Sequence, residues 1–177
     1  SNGHITSWVL GDWIPVKTQS DRDFCATVYF YVDALILSKA AKLFGKLDDA
    51  KKYEQLAKDI RQALNDKYFS KEKCIYASGS QTELSMALYW GIVPGEYRQE
   101  VAKHLAEDVV SKDYHLDVGV HGCKALLCAL SENGYADVAY RVAVQDTYPS
   151  WGAWIAQLGA TTLRENWTFD NNDSDNH

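Results

Sequence analysis

The sequence predicts an all-α chain, built as an incomplete ring of about three and a half helical hairpins. Three observations predict it. Apolar residues recur at helical spacing through nearly all of the 177 residues. Helices that are apolar on every side alternate with helices that carry a single apolar stripe. The links between them are short and rich in Gly, Ser, Asn and Asp. Antiparallel pairs whose first members are all interior pack side by side, first members inside and second members outside. Six such pairs close into an (α/α)6 barrel, so this chain would form part of one. An open α-solenoid fits the same alternation. The hairpins differ in length and share no repeat consensus, which disfavours it.

Each element follows from its pattern. Residues 22–44 are apolar all round, as in Val28-Tyr29-Phe30-Tyr31-Val32 and Leu35-Ile36-Leu37, and read as an interior helix. Gly45 is placed to end it, and Asp48 to cap the next. Residues 49–67 then show one stripe, Ala50, Tyr53, Leu56, Ala57, Ile60 and Leu64, on an otherwise charged outer helix. Residues 70–80 form a polar link. Gln81 to Trp90 is a short interior helix, and Tyr97, Val101, Leu105 and Val109 mark the outer helix after it. Residues 119–131 are interior again, Tyr135 to Val144 outer, and Trp151 to Leu158 interior. Residues 145–150 and 159–177 are loops. The expected organisation is one unit over 1–177 with no second domain.

Composition excludes several functions. The net charge is −6 and no Lys/Arg cluster appears, which argues against a nucleic-acid partner. No uninterrupted apolar run reaches the roughly 20 residues of a membrane span, so no membrane partner is expected. Cys25, Cys74, Cys123 and Cys128 lack CxxC spacing and no His completes a zinc site, so no metal or cofactor is expected. Cys25, Cys123 and Cys128 sit in apolar helical segments and read as buried free thiols. Six Trp and eleven Tyr are a heavy aromatic load. Such side chains pair an apolar face with a polar tip, which suits sugars as well as a core.

Four loop clusters carry the candidate chemistry. Gly11-Asp12-Trp13, Ser80-Gln81-Thr82-Glu83 and Tyr148-Pro149-Ser150-Trp151 each precede an interior helix, and Gly159 through Trp167 follows the last one. Loops entering interior helices lie at one end of a ring, so these should converge on one mouth. Glu165, between an apolar run and Trp167, suits a general base; it equally suits a surface pair with Arg164. Asp12 can cap its own turn, and Trp13 can be core. His121 suits a core or capping role, and Glu83 suits the helix start through the dipole alone. No nucleophile elbow, P-loop or dinucleotide fingerprint is present.

Taken in order, several segments resemble the catalytic domain of bacterial α-L-rhamnosidases. These are Gly11-Asp12-Trp13, Gln81-Thr82, Leu116-Asp117-Val118-Gly119 with Gly122, and Gly134 through Tyr140. Tyr148 through Gly152, Gly159-Ala160-Thr161-Thr162 and Glu165-Asn166-Trp167 complete the series. The resemblance implies an (α/α)6 barrel that removes terminal α-L-rhamnose from oligosaccharides or glycosides with inversion. It makes Glu165 the general base and places Trp13 and His177 against the sugar. Trp151 and Trp154 follow as pocket walls, and Asp12 joins this set more as the holder of its loop than as a contact. It also implies export to the periplasm or beyond.

The family's general acid lies in an Asp-x-x-x-Arg-x-Glu segment that this sequence does not contain. The resemblance therefore implies that the chain needs the rest of a parent catalytic domain as its partner, is inactive alone, and associates through uncovered interior helices. Two rival readings are a helical repeat module that binds a protein or peptide, and an (α/α)6 glycosidase for another sugar.

Overall fold

The computed structural model describes residues 2–7 and 10–168. Its elements are α1 (Arg22–Leu43), α2 (Leu47–Tyr68), β1 (Phe69–Ser70), β2 (Ile75–Tyr76), α3 (Gln81–Tyr89), α4 (Arg98–Ser111), α5 (Val120–Ser131), α6 (Ala136–Ala143) and α7 (Trp151–Ala156). Helix α1 packs along α2, α3 against α4, and α5 against α6. The first members also pack on one another, α1 on α3 and α3 on α5. That is the expected arc for the first three pairs, an inner row of α1, α3 and α5 with α2, α4 and α6 outside; α7 follows α6 in the chain and packs closely along none of the described helices.

The core lies between the two rows. Phe24 and Val28 of α1, Ile60 and Leu64 of α2, and Leu84 and Leu88 of α3 are all fully or almost fully buried. Polar ties set the spacing of the rows. Arg61 on α2 donates to the carbonyls of Ile92 and Val93 at 3.0 and 3.1 Å, which pins the α3–α4 link to the outer helix. Arg98 on α4 donates to Asn133 at 2.7 Å in the α5–α6 turn.

The structure differs from the expectations in four places. Asp48 does not cap α2. The helix starts two residues earlier, at Leu47 with Lys46 at the cap position, because Gly45 takes a left-handed φ of 69° and turns the chain at once. The link over 70–80 holds a two-residue antiparallel pairing, Phe69 with Tyr76 and Ser70 with Ile75. Helix α1 is 22 residues long and apolar enough to cross a membrane by length and composition, a property that core helices share; the run-length reading missed this.

The fourth difference is that α1 and α5 are not buried on every side. Ile36 and Leu37 are exposed on α1, and Val120, Lys124, Cys128 and Ser131 form an exposed stripe on α5. Cys128 is therefore exposed rather than buried, and Cys123 is only partly covered. The physical reason is the open arc. An interior helix has neighbours behind and beside it, and no described residue covers its remaining face.

Candidate active site

Four buried carboxylates and amides stitch the mouth together. Residues 11–21 run across the N-terminal ends of α3 and α5 before entering α1, and each crossing is held by an acid or amide. Asp12 is 1% exposed. Its Oδ2 accepts from the Gly119 N–H at 2.7 Å and the Thr82 hydroxyl at 2.5 Å; its Oδ1 accepts from the N–H of His121 at 2.8 Å and of Gly122 at 3.3 Å. The carboxylate thus satisfies the free N–H groups at the start of α5, where the helix dipole also favours a negative charge. Return traffic comes from Val120, whose N–H donates to the Trp13 carbonyl at 3.0 Å.

Glu83 does the same for α3. With Ser80 it forms a reciprocal capping box, and it also accepts from the N–H of Asp21 at 2.8 Å and of Ser78 at 3.0 Å. Asp117 accepts from Lys17 and Thr18, the Thr18 hydroxyl at 2.6 Å. Burial alone would raise its carboxyl, but the Thr18 hydroxyl, the two backbone N–H groups and Lys112 outweigh it and hold it below the usual range. Gln81 completes the set, accepting from the Asp117 N–H at 2.7 Å. The Ser80-x-x-Glu83 capping signature was legible in the sequence. Asp117 carried no local signal, because its partners lie about 100 residues away.

This scaffold aims Trp13 outward. Trp13 is 46% exposed and its indole Nε1–H donates to Glu165 Oε1 at 3.0 Å, across 152 residues of chain. The convergence of the first and last loop clusters is thereby a direct contact. Behind Glu165 stands a tryptophan stack. Trp154 lies on Trp167 with centroids 4.7 Å apart and planes 20° apart, and Trp151 meets the edge of Trp167 at 6.0 Å. The Trp167 indole is fixed by a 2.8 Å hydrogen bond to the Val118 carbonyl at the mouth of α5. Trp151, Trp154, Trp167 and Glu165 share a cavity of about 200 Å³ with Gly119 and Cys123.

The sequence candidates separate accordingly. Glu165, Trp151 and Trp154 line one hollow, and Trp13 is tied to it through its hydrogen bond to Glu165. Asp12 lies beneath it with both oxygens occupied, which leaves it a positioning role. His177 lies outside the described residues. His121 is half-buried with its ring on Tyr29 at 4.6 Å, and burial holds its imidazole below the ordinary value.

Thiol chemistry has no support here. Cys25 is pushed up by burial and then by the charge of Asp12, and Cys123, by the same two causes, to about 12. A larger hollow of about 540 Å³ lies on the other side of the Gly11 loop, lined by Cys25, Tyr29, Asp33 and His121. Glu165 is not in it. Its walls are the face of α1 from Cys25 to Asp33, His121 of α5, and Thr6, Leu10 and Gly11 of the segment before α1.

Comparison with known proteins meets this geometry. The chain is 35% identical over 157 residues to an alpha-L-rhamnosidase of Streptomyces avermitilis, covering 89% of this chain and 15% of that protein. It is 30% identical to an alpha-L-rhamnosidase of Alteromonas sp., covering 94% and 19%. The crystal structure of the S. avermitilis enzyme complexed with L-rhamnose superposes with a TM-score of 0.87 at 34% identity, over 94% of this chain and 16% of that one. The alpha-L-rhamnosidase of Dictyoglumus thermophilum superposes with a TM-score of 0.87 at 39% identity, over 94% and 20%. The chain thus spans a fifth or less of the relatives it matches. The family model described as the bacterial alpha-L-rhamnosidase 6 hairpin glycosidase domain matches residues 1–177, and the chain belongs to that family.

Proposed function

We propose that this chain supplies the general-base side of an α-L-rhamnosidase active site within a larger catalytic domain. The substrate is a glycoside or oligosaccharide ending in α-L-rhamnose. The observation that carries this reading is the 3.0 Å contact between Trp13 and Glu165 at the edge of an aromatic-walled hollow. A base must be held in one orientation, and an indole N–H fixed by its own loop does that for one carboxylate oxygen. Aromatic faces beside the carboxylate suit the apolar face of a sugar ring.

Hydrolysis with inversion needs a second carboxyl group about 6.5–9.5 Å from the base, with water between the base and the anomeric carbon. Glu165 takes the proton of that water while the acid protonates the departing oxygen. Asp12 is not that acid. Its oxygens are committed to four donors and it lies beneath the hollow. The acid belongs to the part of the domain that carries the family's acidic segment, so this chain by itself releases no rhamnose.

The test is Glu165→Gln in the full-length protein, assayed on an aryl α-L-rhamnoside. Loss of a base lowers kcat by roughly 10²–10⁴-fold, and the wild-type product appears first as the inverted anomer by NMR. Undiminished turnover in the variant, or rhamnose release by the isolated 177-residue chain, overturns the assignment.

A further inference from the structure

We propose that the turn between α4 and α5 sets the aromatic wall of the hollow, with His115 as its positioning residue: the imidazole holds Thr147, and with it the loop that carries α7. The inference rests on the rhamnoside reading above and extends it to a residue outside the lining of the hollow.

Helix α7 needs such a hold. It packs closely along none of the described helices, yet it carries Trp151 and Trp154. Two anchors locate it instead. One is Trp167, stacked on Trp154 and tied to the Val118 carbonyl. The other is the loop over 145–147. A Cβ built on Gly152 falls 2.4 Å from the Gln145 carbonyl oxygen, so this loop lies directly on the first turn of α7. Gln157, just past α7, donates to the Asp146 carbonyl at 3.0 Å. A shift of the loop is therefore a shift of the helix.

The loop in turn is held by residues 112–115. Gln145 donates to the Asp113 carbonyl at 2.9 Å, and its Oε1 accepts from the N–H of Asp146 and of Thr147 at 3.1 and 3.2 Å. Arg141, in the last turn of α6, lies 3.5 Å over the Tyr114 ring. The His115 ring closes the set. Its Nδ1 is 2.8 Å from the Lys112 carbonyl, which can only accept, so in the neutral ring Nδ1 carries the proton. Nε2 is then the acceptor for the Thr147 hydroxyl, 2.9 Å away. Asp113 and Tyr114 hold left-handed φ angles of 52° and 62°, which residues with side chains rarely adopt. Such a conformation persists where surrounding contacts over-determine it. The turn also leads straight into Asp117, which pins Lys17 and Thr18 in the segment that carries Trp13. One turn thus references both sides of the hollow.

Steady-state kinetics of the full-length protein on an aryl α-L-rhamnoside test this. His115→Asn puts an amide N–H at the Nδ1 position, which keeps the Lys112 contact and loses Thr147. His115→Gln reaches Thr147 and gives up Lys112. Positioning through Thr147 raises KM about fivefold, with kcat within about twofold, in His115→Asn and in Thr147→Val. The two combined show no further rise, and His115→Gln keeps the parent KM. A role confined to closing α4 gives the opposite order, Asn intact and Gln impaired, and that result overturns the inference. If His115→Asn does not fold, Thr147→Val, a change at an exposed loop residue, decides: an unchanged KM overturns the inference. An unaltered full-length protein that releases no rhamnose overturns the rhamnoside reading and this inference with it. Release of rhamnose by the unaltered protein, matched by every variant, overturns this inference alone.

Discussion

A single buried carboxylate, Asp12, shows how little of a site's energetics lies in the residues that face the ligand. The sequence allowed it two roles, a turn cap or a member of the sugar-binding set. The structure gives it a third and larger one: it accepts from four donors at the start of α5 and on α3, and so fixes the loop from which Trp13 reaches Glu165. Removing one partner from such a cluster leaves the others buried without an acceptor, which costs more than the bond itself contributed. Asp12→Ala is expected to lower stability by about 3 kcal/mol or more, read as a shift in the urea midpoint at constant slope. Asp12→Asn keeps one carbonyl acceptor and should cost less. An alanine variant as stable as the parent chain would mean that the carboxylate merely occupies its place.

The helices were legible and their docking was not. Stripes such as Ala57, Ile60 and Leu64 on α2, or the unbroken burial of Gln81 to Leu88 on α3, follow from spacing that any reader of the chain can see. What joins α3 to α5 depends instead on close approach between residues 40 apart, which no local pattern encodes. Gly122 marks that approach. A Cβ built there falls 2.4 Å from the Thr82 hydroxyl oxygen and 2.6 Å from the Val118 Cβ, and Thr82 cannot retreat because it donates to Asp12. Gly122→Ala improves helix propensity by up to about 1 kcal/mol. The overpacking it forces is worth about 1–3 kcal/mol in the other direction. The expected net effect is destabilisation by roughly 1–2 kcal/mol in denaturant unfolding, with α3 and α5 losing amide-exchange protection together. A more stable alanine variant would show that the two helices have room to separate.

On the scale of the whole molecule, the open side of the arc accounts for what the alternation of helices failed to say. All-round apolarity in α1 was read as burial on all sides, yet burial requires a neighbour on each side and the arc provides them on only some. Leu43 and Phe44 are 86% and 80% exposed, and Ile36 and Leu37 continue the apolar surface along the helix. In a complete six-hairpin domain the inner face of α1 turns toward the ring interior, whereas on the chain alone it meets water. Contiguous exposed apolar surface of this kind drives association. The isolated chain should therefore sediment as species that grow with concentration, and Ile36→Lys combined with Phe44→Lys should return it toward monomer. The same pair of substitutions should have the opposite consequence in the full-length protein. If Ile36 is covered there, a buried lysine without a partner costs several kcal/mol and lowers the melting temperature. A change that relieves the isolated chain and damages the complete domain would identify this face as interior. Monomeric behaviour of the unaltered chain at high concentration would instead mean that the exposed stripe is a true outer surface, and that the ring closes elsewhere.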